Sequence, residues 1–361
     1  MHDAEARQLM ETLLQQMDDL CPAALRPTPF WAHALTRLLP ELRTHGFERF
    51  RALEACRTLF VPSWGPPGNG LTGEVIASML AHLESLGVAA GSVPWRHVQL
   101  GLTGRSWARE DWRVFRAGRS AGLGLDLDLA DESDAGAPPD LEAFEGRRYS
   151  RSMLNYLHGL VFLQQELGDV PLRRVVEVGG GFGTLGQILH RCGGGAWSWV
   201  NVDIPPTVVA AAWFLRQMPG LTVHHPLEAP QEGPIAWPAP GTQRLLCPWQ
   251  MERLEGPTDL AWNFISFQEM EPATVAFYAG QIERLGTRWV LLRNLREGKP
   301  KRSAARPFGV DQPLLGEDYD TLFPAFRLRA TQVHPFGYET VDGFHSELRL
   351  YERVEGAGSR S

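Results

Sequence analysis

Cysteine is scarce in this chain and poorly spaced for chemistry. Cys21, Cys56, Cys192 and Cys247 form no C-x-x-C pair. That argues against a disulfide framework or structural zinc site and fits a reducing cytosol. Positive charge is also short: 35 Lys and Arg stand against 42 Asp and Glu, a net charge of -7. Nucleic acid is therefore not an expected partner, since the one basic cluster, Lys299-Pro300-Lys301-Arg302, is brief. No apolar run approaches the roughly 20 residues that span a bilayer. The opening "MHDAEARQLMETLLQQMDDL" is polar, acidic and amphipathic, unlike a signal peptide. Neither an H-x-x-x-H motif nor a dense carboxylate cluster calls for a metal. The expectation is a cytoplasmic protein with neither membrane nor metal.

With 361 residues, there is chain enough for about two domains. Residues 1–140 read as a mainly helical N-terminal domain. Leu9, Leu13, Leu14 and Met17 recur at helical spacing, as do Ala34, Leu35, Leu38 and Leu39, and Ile76, Met79, Leu80 and Leu83. Turn chemistry in "PSWGPPGNG" interrupts them. Trp95, Trp107 and Trp112 read as core or interface aromatics, with a pocket lining as the rarer alternative. The acidic, Gly- and Pro-rich "GLGLDLDLADESDAGAPPD" that closes this region reads as a solvated linker. Residues 141–361 alternate strand and helix. Strands are expected at 174–178, 198–203, 244–247, 260–265 and 288–292, and the segments 326–333 and 347–353 alternate like a closing hairpin. This pattern implies an α/β, Rossmann-like sheet, mostly parallel.

The glycine loop of "VVEVGGGFGTLG" follows the first of these strands. Glycines between a strand and a helix let backbone N–H groups approach a ligand. Gly181, Gly183 and Gly186 match the dinucleotide pattern G-x-G-x-x-G. Glu177, Gly179, Gly181 and Gly183 match equally well the acid-x-G-x-G-x-G of S-adenosylmethionine (SAM) binders. Asp203, about twenty residues on, stands where an acid accepts hydrogen bonds from ribose hydroxyls, which NAD and SAM share. Glu177 tilts the choice. A buried carboxylate would repel a pyrophosphate, whereas it pairs with the ammonium and sulfonium of SAM. Pairing of Glu177 within the protein stays open as the alternative.

Three segments, "VVEVGGGFGTLGQIL", "VNVDIPPTVVAAAWFL" and "WNFISFQEM", together resemble the sugar O-methyltransferases of bacterial natural-product pathways, a group of class I SAM-dependent methyltransferases. The shared features are the glycine loop, Asp203-Ile204-Pro205, and Asn263, Ser266, Glu269 and Met270 in N-x-x-S-x-x-E-M. "LLCPWQMERL", "RNLREG" and "FHSELRLYER" are similar too, so the resemblance spans roughly residues 147 to 353. It implies a class I methyltransferase sheet with an antiparallel terminal strand, SAM as cofactor and a small-molecule acceptor. It also implies that Glu177, Gly179, Gly181 and Gly183 hold the methionine end of SAM. Asp203 and Ile204 would take the ribose, and Pro248, Trp249 and Gln250 would lie beside the adenine. Ser266 and Glu269 would face the sulfonium and the acceptor.

Methyl transfer to an alcohol needs a general base. Glu269, His345 and His334 are the candidates; His345 and Glu347, two apart in a strand, share a face. His158 reads as packing and His224-His225 as loop. Tyr149 and Arg151 could close over SAM, with Arg151 near its carboxylate; a helix start capped by Ser150 explains them as well. The leading expectation is a small-molecule O-methyltransferase. An N-methyltransferase, an NAD-dependent oxidoreductase and a catalytically silent partner protein remain rivals. A homodimer paired through the helical region is a further expectation.

Overall fold

The computed structural model describes residues 1–340 and 342–354. Six helices come first: α1 (Asp3–Leu20), α2 (Pro29–His45), α3 (Glu54–Leu59), α4 (Gly73–Ser85), α5 (Val93–Leu102) and α6 (Arg105–Gly118). A short hairpin, β1 (Glu142–Phe144) and β2 (Arg147–Tyr149), leads into α7 (Arg151–Leu167). Alternation then sets in with β3 (Arg174–Val178), α8 (Thr184–Cys192), β4 (Ser198–Val202), α9 (Thr207–Leu215), β5 (Thr222–His224) and β6 (Thr242–Leu246). It continues with β7 (Leu260–Phe264), α10 (Pro272–Arg284), β8 (Trp289–Leu295), α11 (Asp318–Leu322), β9 (Phe326–Gln332), β10 (Tyr338–Glu339) and β11 (His345–Arg353). Among the described residues, no helix is long and apolar enough to cross a membrane.

The main sheet runs β5-β6-β4-β3-β7-β8-β11, with β9 and β10 sharing the outer edge of β11. Strands β5 to β8 pair in parallel, and β11 enters antiparallel between β8 and β9. This is a Rossmann-like, mostly parallel sheet closed by an antiparallel strand. From the central β3 the chain builds outward through β4 and β6, then crosses back to build β7 and β8 on the other flank. A crevice opens at the carboxyl ends of the strands where the direction reverses. The inner strands are buried on both faces, which explains their near-continuous apolar runs.

The acidic segment 122–140 is no solvated linker. Leu123, Leu125, Leu127 and Ala130 are buried in the same core cluster as α1, α2, α7 and α9, so the helical region and the sheet share one interior. Its alternating leucines supplied the apolar face that its acidic composition masked. Helix α9 is buried at every position. A helix apolar all round needs cover on its outer side as well as a sheet beneath it, and α1 supplies that cover. His224 lies in β5 rather than in a loop.

Glu132, wholly buried, ties the parts together. It faces Arg51 at 3.3 Å, and it accepts a hydrogen bond from Ser150, whose Oγ also caps α7 by accepting from the Met153 N–H. The Arg51 guanidinium in turn lies 5.1 Å from the Phe182 ring of the glycine loop. Removing one partner of a buried ion pair leaves the other uncompensated. Glu132→Ala should therefore cost about 3–5 kcal/mol, read as a lowered urea midpoint.

Candidate functional site

The crevice is a cleft whose empty space, mouth included, is about 910 Å³. Its floor is the glycine loop, Gly179 to Gly181, with Val202, Asp203 and Ile204 at the end of β4 and Phe264, Ile265 and Ser266 at the end of β7. Gly181 has φ 56°, and a Cβ there would point into the cleft, its nearest neighbour being the Phe60 carbonyl oxygen at 3.8 Å. Glycine at this position keeps the floor flat for a ligand. Gly179 serves packing instead, because a Cβ would strike Ser266. Gly183 starts α8 and packs on Leu215.

Asp203 holds the loop. Its Oδ2 accepts the Gly181 N–H and its Oδ1 the Ile204 N–H, each at 2.8 Å. A carboxylate has about four acceptor positions, so one remains for a ligand hydroxyl even with Thr207 beside it. Burial raises the Asp203 pKa to about 6 against the hydrogen bonds of Thr207, Ile204 and Gly181. Asn201 adds a second tether by accepting the Gly180 N–H at 3.0 Å.

Glu177 lies beneath the loop, fully buried, and does not line the cleft. Tyr156 donates to its Oε1 at 2.7 Å and the Trp199 indole to its Oε2 at 3.0 Å. The pairing within the protein, left open from sequence, is what the structure shows. Burial outweighs both donors and lifts the carboxyl pKa to about 8. Glu177 thus rests against the underside of the floor, and its partners came from elements that its own strand does not reveal.

Glu269 does reach the cleft. It is buried, and Lys299, one of only two lysines in the chain, pairs with its Oε1 at 2.9 Å. Burial raises its pKa while Lys299 pulls it back. The lysine Nζ also sits 4.4 Å from the Phe30 ring centre of α2. Ser266 lines the cleft, but its hydroxyl is engaged with the Val178 carbonyl at 3.1 Å and with Asn263. Between β7 and this turn, Ile265 takes φ 72°. A β-branched residue there is strained, and such strain clusters at functional sites.

Several expected residues lie elsewhere. Tyr149 is buried between Phe115 and Phe144, because β2 ends there and Ser150 starts α7. Arg151 donates to the Ser63 carbonyl at 2.7 Å and does not line the cleft. Pro248, Trp249 and Gln250 follow β6, outside the cleft lining. The Gln250 amide is spent on the Cys247 N–H and the Pro226 carbonyl, and Trp249 packs against the N-terminal helices. His345 pairs with Glu297 at 2.6 Å, not with Glu347, which is held by Arg296 and Arg349. His334 is exposed, and neither histidine lines the cleft. His158 is buried, bonded to the Asp111 carbonyl. Trp95, Trp107 and Trp112 are also absent from the lining.

Sequence reasoning missed the walls. Trp31, Leu59, Phe60 and Pro62 form one, and Ser152, Asn155 and Tyr156 of α7 another. Arg293 of β8 lines the cleft as well. A charge inside the apolar run "WVLLRNL" was a visible signal for it; Trp31 had none. Among the described residues, no group of three or more His, Cys, Asp or Glu side chains could hold a metal ion.

No family model matches the chain, and no curated protein matches its sequence. Solved structures do match in part. A SAM-dependent methyltransferase from Mesorhizobium loti is 14% identical over 54% of this chain and 98% of its own, with a TM-score of 0.36. A magnesium protoporphyrin IX methyltransferase from Synechocystis, with bound SAM, is 15% identical over 56% of this chain and 81% of its own, TM-score 0.36. The [4+2]-cyclase SpnF is 14% identical over 59% of this chain and 86% of its own, TM-score 0.37. Likenesses this distant carry no argument about the reaction, which rests on the site itself.

The Glu177 carboxyl has an ordinary pKa of 4.5 and a folded one of about 8. A folded pKa raised in this way gives stability that is full below the lower value and lost as pH rises through the higher one. Glu177→Gln removes that loss, whatever fixed cost its amide N–H adds opposite the two donors. The stability of the variant relative to the parent should climb between pH 5 and pH 9, followed by urea midpoints across that range.

Proposed function

We propose that the protein is a SAM-dependent methyltransferase that methylates a hydroxyl group of a small molecule. The observation that carries this reading is the charge of the cleft. Two carboxylates, Asp203 and Glu269, line it beside the glycine loop. At that loop, where a dinucleotide pyrophosphate would rest, they repel phosphate and attract a sulfonium or an ammonium. The Gly181 floor and the spare acceptor position of Asp203 suit an adenosine ribose. SAM, when bound, supplies a methyl group on a positively charged sulfur.

The chain's own residues then have three tasks. Asp203 accepts from a ribose hydroxyl and fixes the nucleoside against Gly181. Trp31, Phe60 and Pro62 wall the cleft and restrict water, and an enclosed space of this kind favours a small acceptor. Glu269 accepts the acceptor's hydroxyl proton as its oxygen attacks, and Lys299 offsets part of the burial that disfavours the ionised carboxylate. An amine acceptor would need less of Glu269, so methylation of nitrogen is the second reading. A sugar or natural-product acceptor is supported by the sequence resemblance.

Calorimetry with SAM, S-adenosylhomocysteine (SAH) and NAD tests the reading. Both sulfur nucleotides should bind and NAD should not; the reverse pattern would overturn it. Asp203→Ala should weaken SAH by tenfold or more, about 1.4 kcal/mol. With an acceptor that turns over, Glu269→Gln should lower kcat by about 10²–10⁴. In the parent, kcat/KM should fall as pH drops through a pKa above the ordinary 4.5, because the base must be ionised and burial has raised it.

A further inference from the structure

The chain buries two arginines almost completely, Arg51 and Arg293, each 1% exposed. Arg51 is compensated by Glu132. Arg293 has no carboxylate within ion-pair distance among the described residues; Asp111 acts on it only from farther off, and that carboxylate is already engaged by the Trp64 indole. Its Nε donates to the Ser346 hydroxyl at 3.1 Å and its Nη1 to the Asn155 carbonyl at 3.2 Å. Nη2 has no protein acceptor among the described residues, and the side chain lines the cleft. The guanidinium carbon lies over two rings, Tyr338 at 4.9 Å and Phe264 at 5.6 Å. Arg151 approaches the same Tyr338 ring at 5.9 Å, and among the described residues it has no carboxylate partner either. Two cations therefore share one tyrosine ring, and among the described residues neither has a paired carboxylate.

A buried charge without a counter-charge costs several kcal/mol, and a planar fork held over aromatic rings suits a carboxylate. We propose that Arg293 is the carboxylate-binding residue of the cleft, with Arg151 adding positive potential from behind Tyr338. The cleft then carries both signs of charge, Asp203 and Glu269 as anions and Arg293 as a cation. Two ligands could bring the carboxylate: the amino-acid end of the cofactor, in which case this inference rests on the function proposed above, or an acidic acceptor.

The test compares the parent with Arg293→Met by calorimetry against SAH and against 5′-methylthioadenosine, which has the same nucleoside and sulfur but no carboxylate. A companion thermal-shift series adds malonate, with and without saturating SAH. If the carboxylate is the cofactor's, Arg293→Met should weaken SAH at least tenfold and leave methylthioadenosine unchanged. If it is the acceptor's, SAH should bind both proteins alike, while malonate should raise the Tm of the SAH-loaded parent and not of the variant. Equal behaviour of both proteins toward all three ligands overturns the proposal. A parent that binds no SAH overturns the proposed function instead, and malonate alone then still judges Arg293. Arg293→Lys, which keeps the charge without the fork, should fall between the two proteins and covers the case of a Met variant that does not fold.

Discussion

A buried carboxyl group that accepts two hydrogen bonds beneath a bare backbone loop is the constraint on which the site depends. Glu177 can sit under the glycines only because α7 brings Tyr156 and β4 brings Trp199 to its two oxygens. Those bonds fix the distance of the helix and of the neighbouring strand from β3. The loop above is pinned in turn by Asn201 and Asp203, from that same neighbouring strand and its end. The cleft floor is thus set by hydrogen bonds that a shift of any one element would break. Unsatisfied polar groups at that depth are costly enough to resist such a shift.

From this floor the polarity of the site follows. Asp203 does two jobs with one carboxylate, holding backbone N–H groups below and presenting a lone pair above. Glu269 is anchored from the opposite side through Lys299, which itself rests on α2. Glu269 and Asp203, to which the proposed function gives the base and the ribose contact, are therefore positioned by different layers of the molecule. Ile265, strained between β7 and the turn that carries Ser266 and Glu269, is the joint at which that second layer meets the sheet.

The sheet was legible in the sequence because buried parallel strands are short apolar runs and glycine clusters mark their ends. The strands at 174–178, 198–203 and 260–265 and the antiparallel closing pair could be read in this way, and so could the place of Asp203 at a strand end, whereas Glu269 was picked out by the resemblance of its segment to a family. The walls could not. Trp31 and Phe60 look like any core aromatic until the chain is folded, and Tyr149 and Trp249 carried no mark that they would pack elsewhere. His345 and Glu347 stand two apart in one strand, yet each found another partner just past the end of β8. Spacing along a strand says which side chains can meet, and competition from other strands decides which do.

Trp31, Leu59, Phe60 and Pro62 give the cleft a wall that does not belong to the sheet. Evolutionarily, this separates two inheritances. Under the proposed function the floor must persist to hold the cofactor, but the wall, built from the first 62 residues, lies outside the strands and can be reshaped separately. The freedom has a limit, since the same helices roof α9 and share its core. On that reading, a change of acceptor would come by exchanging side chains on a retained helical frame rather than by replacing the frame.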